Sequence, residues 1–405
     1  MLTTKDIPGL ALPNRTLAIT AGALVLVGGI AFVVRLAGAH PELAWQAYLI
    51  NFLLWSAAAQ GGLLFSAVMH VAKARWSGPL AGLAEALAAF FPVSFILFLL
   101  LFAGSSHVFP WLHEDLHGKE LWLNLPFLFS RDCLGLLVLY LSGCAYLYYT
   151  LAPRLIPGAT EFKLRTLLLR GREKCLADPQ RHQRQQTVWG ILYIIAFALV
   201  LSLIGYDLVM SMDPHWYSTL FGAYSFIKAF FIGLGALIIL AAVVHLRQGA
   251  ASGLTPSHFH DVGKLFFAFC LLWADFFYVQ LVVIWYGNIP EESVYVIERV
   301  LLPPWRPLAW VVFVICFIAP FLILLNQRVK SRPGFMIALC AVVLGGMWLE
   351  HLLLLAPALS RHASGLPLGA GDVLITLGFL GLMALAVAYF LNLFPEIVPA
   401  DGGER

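Results

Sequence analysis

Residues 219–246, TLFGAYSFIKAFFIGLGALIILAAVVHL, decide the fold. A helix needs about 20 residues to cross a hydrocarbon core of ~30 Å, and this stretch is longer. It holds one lysine, Lys228, and one histidine, His245, near its end. Apolar residues occupy every helical face, and no period-two alternation runs through it, so it reads as a helix in lipid and not as a barrel strand. Nine further stretches read the same way, near 17–37, 46–72, 82–103, 123–151, 187–211, 260–287, 305–325, 334–357 and 371–394. Composition agrees: 61% of residues are hydrophobic and 12% charged, where soluble domains carry roughly 25% charged residues. The expected fold is all-α and polytopic, with ten transmembrane helices called spans 1 to 10 below. The chain 1–405 reads as a single integral membrane domain, with spans 1 to 4 in 1–151, a linker in 152–186 and spans 5 to 10 in 187–394.

Several classes of cofactor have no motif. The six cysteines, Cys133, Cys144, Cys175, Cys270, Cys316 and Cys340, stand singly, without CxxC, CxxCH or zinc spacing, so no covalent haem, iron-sulfur cluster or disulfide framework is expected in this chain. Met1–Thr16 contains Lys5, Asp6 and Arg15, and no small-residue cleavage site follows the first apolar run, so span 1 is expected to be retained. Lys and Arg gather in the N-terminal segment, the even-numbered loops and the C-terminal segment, which puts both termini in the cytoplasm by the positive-inside rule. Much of that bias is Arg154–Arg184, read as a solvated basic linker near anionic lipid headgroups. A faint repeat is visible: Ala47-Tyr48 opens span 2 and His70 ends it, while Ala223-Tyr224 opens span 6 and His245 ends it.

A charge inside the bilayer costs several kcal/mol, so each intramembrane ionisable group is a functional candidate. The outer half holds Asn51, Arg131, Asp132, Asp207, Lys228, Glu350 and His351, with Asp213 and His215 in the short loop between spans 5 and 6. Near the cytoplasmic side lie His70, Glu85, His245, His260, Asp261 and Lys264, and near the midplane Gln60 and Asp275. Lys264 and Asp275 are about three turns apart on span 7, roughly 16 Å along one stripe, as a proton relay would need. Structural roles compete with these readings. Lys264, Glu85 and His245 sit near helix ends, where side chains snorkel or cap. Asp207 can pair with Lys228, and Arg131 and Asp132 with neighbours. His70, His245 and His351 weakly suggest haem ligation between helices. Trp45, Trp111, Trp122, Trp216, Trp285 and Trp305 fall at outer helix ends, where an interfacial belt is expected.

Four stretches are more specific: HPELAWQAYLINFLLW at 40–55, SMDPHWYSTLFGAY at 211–224, HDVGKLFFAF at 260–269 and IWYGNIPEE at 284–292. Together they resemble the F-type membrane subunits of bacterial alternative complex III, a quinol:cytochrome c oxidoreductase, within the polysulfide-reductase (NrfD-like) superfamily. The resemblance implies two four-helix bundles, spans 2 to 5 and 6 to 9, with two peripheral helices. It also implies partners: a sister NrfD-like membrane subunit, an iron-sulfur and molybdopterin-like peripheral subunit, and haem c subunits, which would hold the haem c and iron-sulfur clusters. No nucleic acid is expected among them. The matched motifs carry over Asp213, His215, Lys228, His260, Asp261, Lys264, Glu291 and Glu292.

The expected function is a membrane subunit of the bacterial inner membrane that supports quinol oxidation and offers a proton path, without catalytic residues or a metal of its own. That path runs from His260, Asp261 and Lys264 through Asp275 to Arg131, Asp132, Asp207, Asp213, His215, Lys228, Glu291, Glu292, Glu350 and His351. A quinone pocket is placed near Asn51, Arg131 and Asp207. Two rivals stand beside this reading: a purely structural anchor, and a stand-alone ion-coupled transporter, although broken helices in two inverted halves are not evident.

Overall fold

The computed structural model describes residues 15–116, 118–156, 163–359 and 365–397. Lys5 and Asp6 lie outside the described residues, as does 157–162 of the linker. Ten helices are long and apolar enough to cross a membrane, and no strand occurs among the described residues. Span 1 is Arg15–Leu36, span 2 Pro41–Val71, span 3 Arg75–Val108, span 4 Leu125–Arg154 and span 5 Pro179–Met212; span 6 is Phe221–Ser252, span 7 Pro256–Gly287, span 8 Trp305–Leu324, span 9 Pro333–Leu359 and span 10 Ala370–Leu393. Proline opens many of them, where its fixed φ suits the first turn and its missing N–H costs no bond. Asn288 in the left-handed conformation ends span 7, and Pro290 starts a surface helix, Pro290–Val300. Span 8 carries a π-turn at Val314–Ile318, one turn before Pro320.

Span 2 packs with spans 3 and 5 and span 4 with spans 3 and 5, span 6 packs with spans 7 and 9, and span 8 closes the second group against spans 7 and 9. The two groups meet along spans 2 and 6, with span 5 also against span 6. Glycine permits this seam: a Cβ on Gly61 would lie 3.0 Å from the Gly233 Cα and 2.5 Å from the Ala229 carbonyl oxygen. Spans 1 and 10 pack as a pair against span 2, joined by the buried Asp372 accepting from Arg35 Nη1 at 2.5 Å. Span 2 is the axis of the molecule, buried along nearly its whole length.

Three sequence expectations are corrected. The linker is not simply solvated: Lys163–Ala177 forms a helix, and its Arg165 is fully buried. That guanidinium donates to the carbonyls of Leu393 and Ile156, each at 2.8 Å, and pairs with Glu396. One carbonyl freed at the end of span 10, the Ile156 carbonyl after span 4 and one carboxylate satisfy a charge that would otherwise need water. Span 5 starts earlier than expected, because Asp178 caps it through the Arg181 N–H at 3.0 Å, so the polar run after Pro179 is its first turns. The tryptophan belt also shrinks. Trp122 and Trp285 are exposed, but Trp45, Trp111, Trp216 and Trp305 are buried, with Trp45 packed on Phe32 and Tyr48.

Candidate functional site: ionisable groups at the seam between the two halves

Lys228 on span 6 and Glu350 on span 9 are both buried and form an ion pair, Nζ to Oε2 3.0 Å and to Oε1 3.2 Å. The Tyr224 hydroxyl, one turn before Lys228, donates to Glu350 Oε1. His351 Nδ1 donates to the Met347 carbonyl at 2.7 Å, which fixes the tautomer and leaves Nε2 as the second ring nitrogen. Lys228 and His351 line an internal cavity of about 40 Å³ shared with Ser56 and Gln60 of span 2, Leu136 of span 4, Ile204 of span 5 and Ser225 of span 6. At ~10–15 Å³ per water it has room for about three or four, with several polar partners to hold them.

From that cavity a polar chain leads into the first half. Ser56 Oγ lies 2.5 Å from Ser94 Oγ, Ser94 lies 2.7 Å from the Tyr140 hydroxyl, and Gln60 Nε2 donates to the same hydroxyl at 2.8 Å. Tyr193 donates to the Gln60 carbonyl at 2.8 Å. Ser66 lies about 9 Å further along span 2. It donates to Glu85 Oε1 at 2.9 Å and lies 3.0 Å from the Tyr146 hydroxyl. Glu85 is fully buried, and Arg154 at the end of span 4 reaches it at 3.1 Å from the half-open surface. Between Gln60 and Ser66 the axis carries only Gly61, Gly62 and apolar side chains. Two polar half-paths therefore face one another across an apolar gap.

A second ionisable cluster sits between spans 4 and 5. Arg131 grips the buried Asp207 with two bonds, Nε to Oδ2 2.6 Å and Nη2 to Oδ1 2.7 Å. Trp122 Nε1 donates to the same carboxylate at 3.0 Å, and its ring stacks on the guanidinium, 3.9 Å from ring centroid to Cζ. Asp132 is fully buried beside Asp207, and neither of its oxygens has a hydrogen-bond donor among the described residues.

The structure thus joins Lys228, Glu350 and His351, and separately Arg131, Asp132 and Asp207. Asp207 pairs with Arg131, not with Lys228 as the sequence suggested, because the Arg131 fork offers two parallel bonds where an ammonium offers a point charge. Asn51 is buried, its amide donating to the Ala47 carbonyl at 2.9 Å. Neither it nor Arg131 nor Asp207 lines the seam cavity. Asp213 is half-buried in the loop after span 5, and His215 is exposed there. Glu292 is half-buried on the surface helix; the Glu291 side chain lies outside the described residues.

The span 7 stripe exists but faces outward. Lys264 is exposed and bonds Asp261 at 3.0 Å, His260 lines an open surface groove, and Asp275 is exposed on the outer flank. Helical period put these residues on one face, but nothing in the period said which face meets the bundle. His70 lies 3.1 Å from the Thr187 hydroxyl and His245 3.1 Å from that of Ser252, so each is engaged within its own half. Sequence reasoning set aside Glu85 as a helix-end residue and overlooked Tyr224, Tyr140, Ser66 and Ser94. For Glu85 a signal was present: it is the lone acid in SGPLAGLAEALAAFFP, 77–92, in the first half of a span.

No protein-family model matches this chain, and no curated protein matches it.

Proposed function

We propose that this chain is the proton-handling membrane subunit of a quinone-linked respiratory oxidoreductase. The observation that carries the reading is the seam: a buried Lys228–Glu350 pair with His351 on a cavity, a hydroxyl chain beyond it, and buried Glu85 on the other side of an apolar gap. Buried charge of this kind is costly to keep, and a stabilising role alone is served as well by apolar packing. Protons would enter at Glu85 under Arg154, cross when water bridges the gap between Ser66 and Gln60, and leave through His351 and Glu350. A redox or conformational change in a neighbouring subunit would open and close that gap.

Asp275 supports a subunit over a stand-alone transporter. It is exposed on span 7, about 18 Å along the helix from its Gly287 end, at a depth where lipid cannot solvate a carboxylate. A partner's membrane helix covering that flank offsets the cost. By the sequence resemblance, the partners are a sister NrfD-like membrane subunit, an iron-sulfur/molybdopterin-like peripheral protein and haem c subunits. The setting is the bacterial inner membrane, with Glu85 on the cytoplasmic side.

The test uses the complex that co-purifies with the chain, reconstituted in proteoliposomes. Glu85→Gln should lower the proton-to-electron ratio while quinol oxidation continues. An unchanged ratio in an assembled complex would leave the chain as an anchor, and purification of a lone, colourless chain would remove the respiratory assignment.

A further inference from the structure

The turn between spans 8 and 9, NQRVKSRPG at 326–334, crowds three cations together: Arg328, Lys330 and Arg332. No Asp or Glu occurs from Arg299 to Leu349 to balance them. Asn326 caps the turn, its Oδ1 accepting from the Arg328 N–H at 2.9 Å, and the Ser331 hydroxyl donates to the Gln327 carbonyl at 3.3 Å. That backbone holds both arginines exposed on an open groove of about 540 Å³, shared with Gln327 and Ser331 and with Ser257 and His260 at the start of span 7. Neither guanidinium has a carboxylate or other acceptor among the described residues; Arg332 lies near the Phe335 ring, 5.9 Å from Cζ to centroid.

Lys330 lies beside the groove. Its stem packs on span 7 at Gly263, where a Cβ would meet it at 3.2 Å, and its Nζ sits 5.8 Å from the Phe267 ring centroid. The residue is only 7% exposed, yet its ammonium has no acceptor among the described residues. Burial, and after it the Lys264 charge, pull its pKa below the ordinary lysine value, as expected of a cation without an anion. Asp261 does not serve it, being engaged by Lys264 at 3.0 Å. Apolar side chains adjoin the same turn: Leu322 and Leu325 at the end of span 8 and Phe335 at the start of span 9 are all more than half exposed. Unbalanced cations at a helix-end turn, next to exposed apolar side chains, suit an anionic amphiphile better than a soluble anion.

We infer that this groove binds the headgroup of an anionic phospholipid, with Arg328 and Arg332 on the phosphate, Lys330 beside it, and the acyl chains along Leu322, Leu325 and Phe335. A guanidinium offers a phosphate two parallel N–H groups, while the ammonium adds a point charge. The groove lies apart from the seam cavity, and its lipid owes nothing to the proton route or to a redox partner. Inorganic phosphate shares the headgroup's chemistry and an acidic protein segment its charge, so the experiment separates the three.

The purified full chain, freed of lipid in neutral detergent, is titrated with phosphatidylglycerol, phosphatidylcholine and, separately, inorganic phosphate, following the unfolding temperature and counting bound lipid by native mass spectrometry. Phosphatidylglycerol should bind about tenfold tighter than phosphatidylcholine, and less tightly as salt is raised. Arg328→Gln and Arg332→Gln, both on the surface, should each weaken phosphatidylglycerol binding about fivefold and together about 25-fold. Lys330→Met should raise the unfolding temperature of the lipid-free chain by removing a buried charge without an anion, and should shrink the gain that phosphatidylglycerol confers. Arg184→Gln, an exposed cation in the first turns of span 5, should bind as wild type. Equal phosphatidylglycerol affinity in wild type and the double arginine variant overturns the assignment, as does equal binding of the two lipids. Two further outcomes also overturn it. Stabilisation by inorganic phosphate as large as by phosphatidylglycerol makes the groove a soluble-anion site; loss of a co-purifying subunit from the double variant, with its phosphatidylglycerol count unchanged, makes it a protein-docking surface.

Discussion

The two far-side ion pairs use the same chemistry and differ in what surrounds them. Asp207 is saturated: three donors from Arg131 and Trp122 fix both oxygens, and it does not line the seam cavity. Glu350 is held by a flexible ammonium and one tyrosine hydroxyl, and its lysine partner opens on a space that water can enter. A saturated pair fixes two helices; a loosely held pair next to water can exchange protons. Charge alone does not distinguish them, since both pairs are buried and both join neighbouring spans.

The comparison can be broken most sharply at Lys228. Lys228→Met strands a buried carboxylate, and breaking such a pair costs about 3–5 kcal/mol. We expect a large fall in the unfolding temperature of the purified chain, largely reversed when Glu350→Gln is added. A single variant as stable as wild type would mean that the pair is not ionised, and the contrast would collapse. Asp207→Asn comes next. It should cost about 3 kcal/mol by leaving Arg131 without its bidentate partner, yet leave the proton-to-electron ratio of the assembled complex unchanged. Glu350→Gln should instead lower that ratio by half or more, and it strands Lys228 at a stability cost of the same order as Lys228→Met. Equal effects of the two on the ratio would merge the clusters into one path.

Smaller effects sharpen the route itself. Tyr140→Phe removes the hydroxyl shared by Ser94 and Gln60, worth about 0.5–1.5 kcal/mol per bond, and should slow proton release a few-fold in a stopped-flow pH assay. Asp275→Asn should leave proton transfer untouched, because that side chain faces away from the seam. Its expected effect is weaker retention of partner subunits during detergent washing.

Much of the fold was legible because lipid imposes a simple demand: ten runs long enough to satisfy their backbone within one helix. Lys228, Glu350 and His351 were legible for a related reason, since charge at that depth needs an account. Which charges pair was not. Asp207 and Lys228 were close enough in sequence to suggest a bond, but Arg131 from span 4 supplies the better fork. Nor did period reveal the outward turn of Asp275, because apolar residues lie on every face of span 7 and only packing chooses the inner one. Glu85 was misjudged because distance from a helix end was taken as depth; span 3 begins at Arg75, yet span 10 packs over that end. Hydroxyls of Ser56, Ser94 and Tyr140 carry no sequence signal at all until three spans bring them within hydrogen-bond reach.

The clasp between Arg165 and Glu396 has a consequence for biosynthesis. Its two halves are 231 residues apart, so the ribosome delivers the guanidinium long before the carboxylate. Until span 10 has been made, the linker helix lacks the Leu393 carbonyl and the Glu396 carboxylate that hold this charge, so a nascent chain stalled before span 10 would present an undocked basic segment.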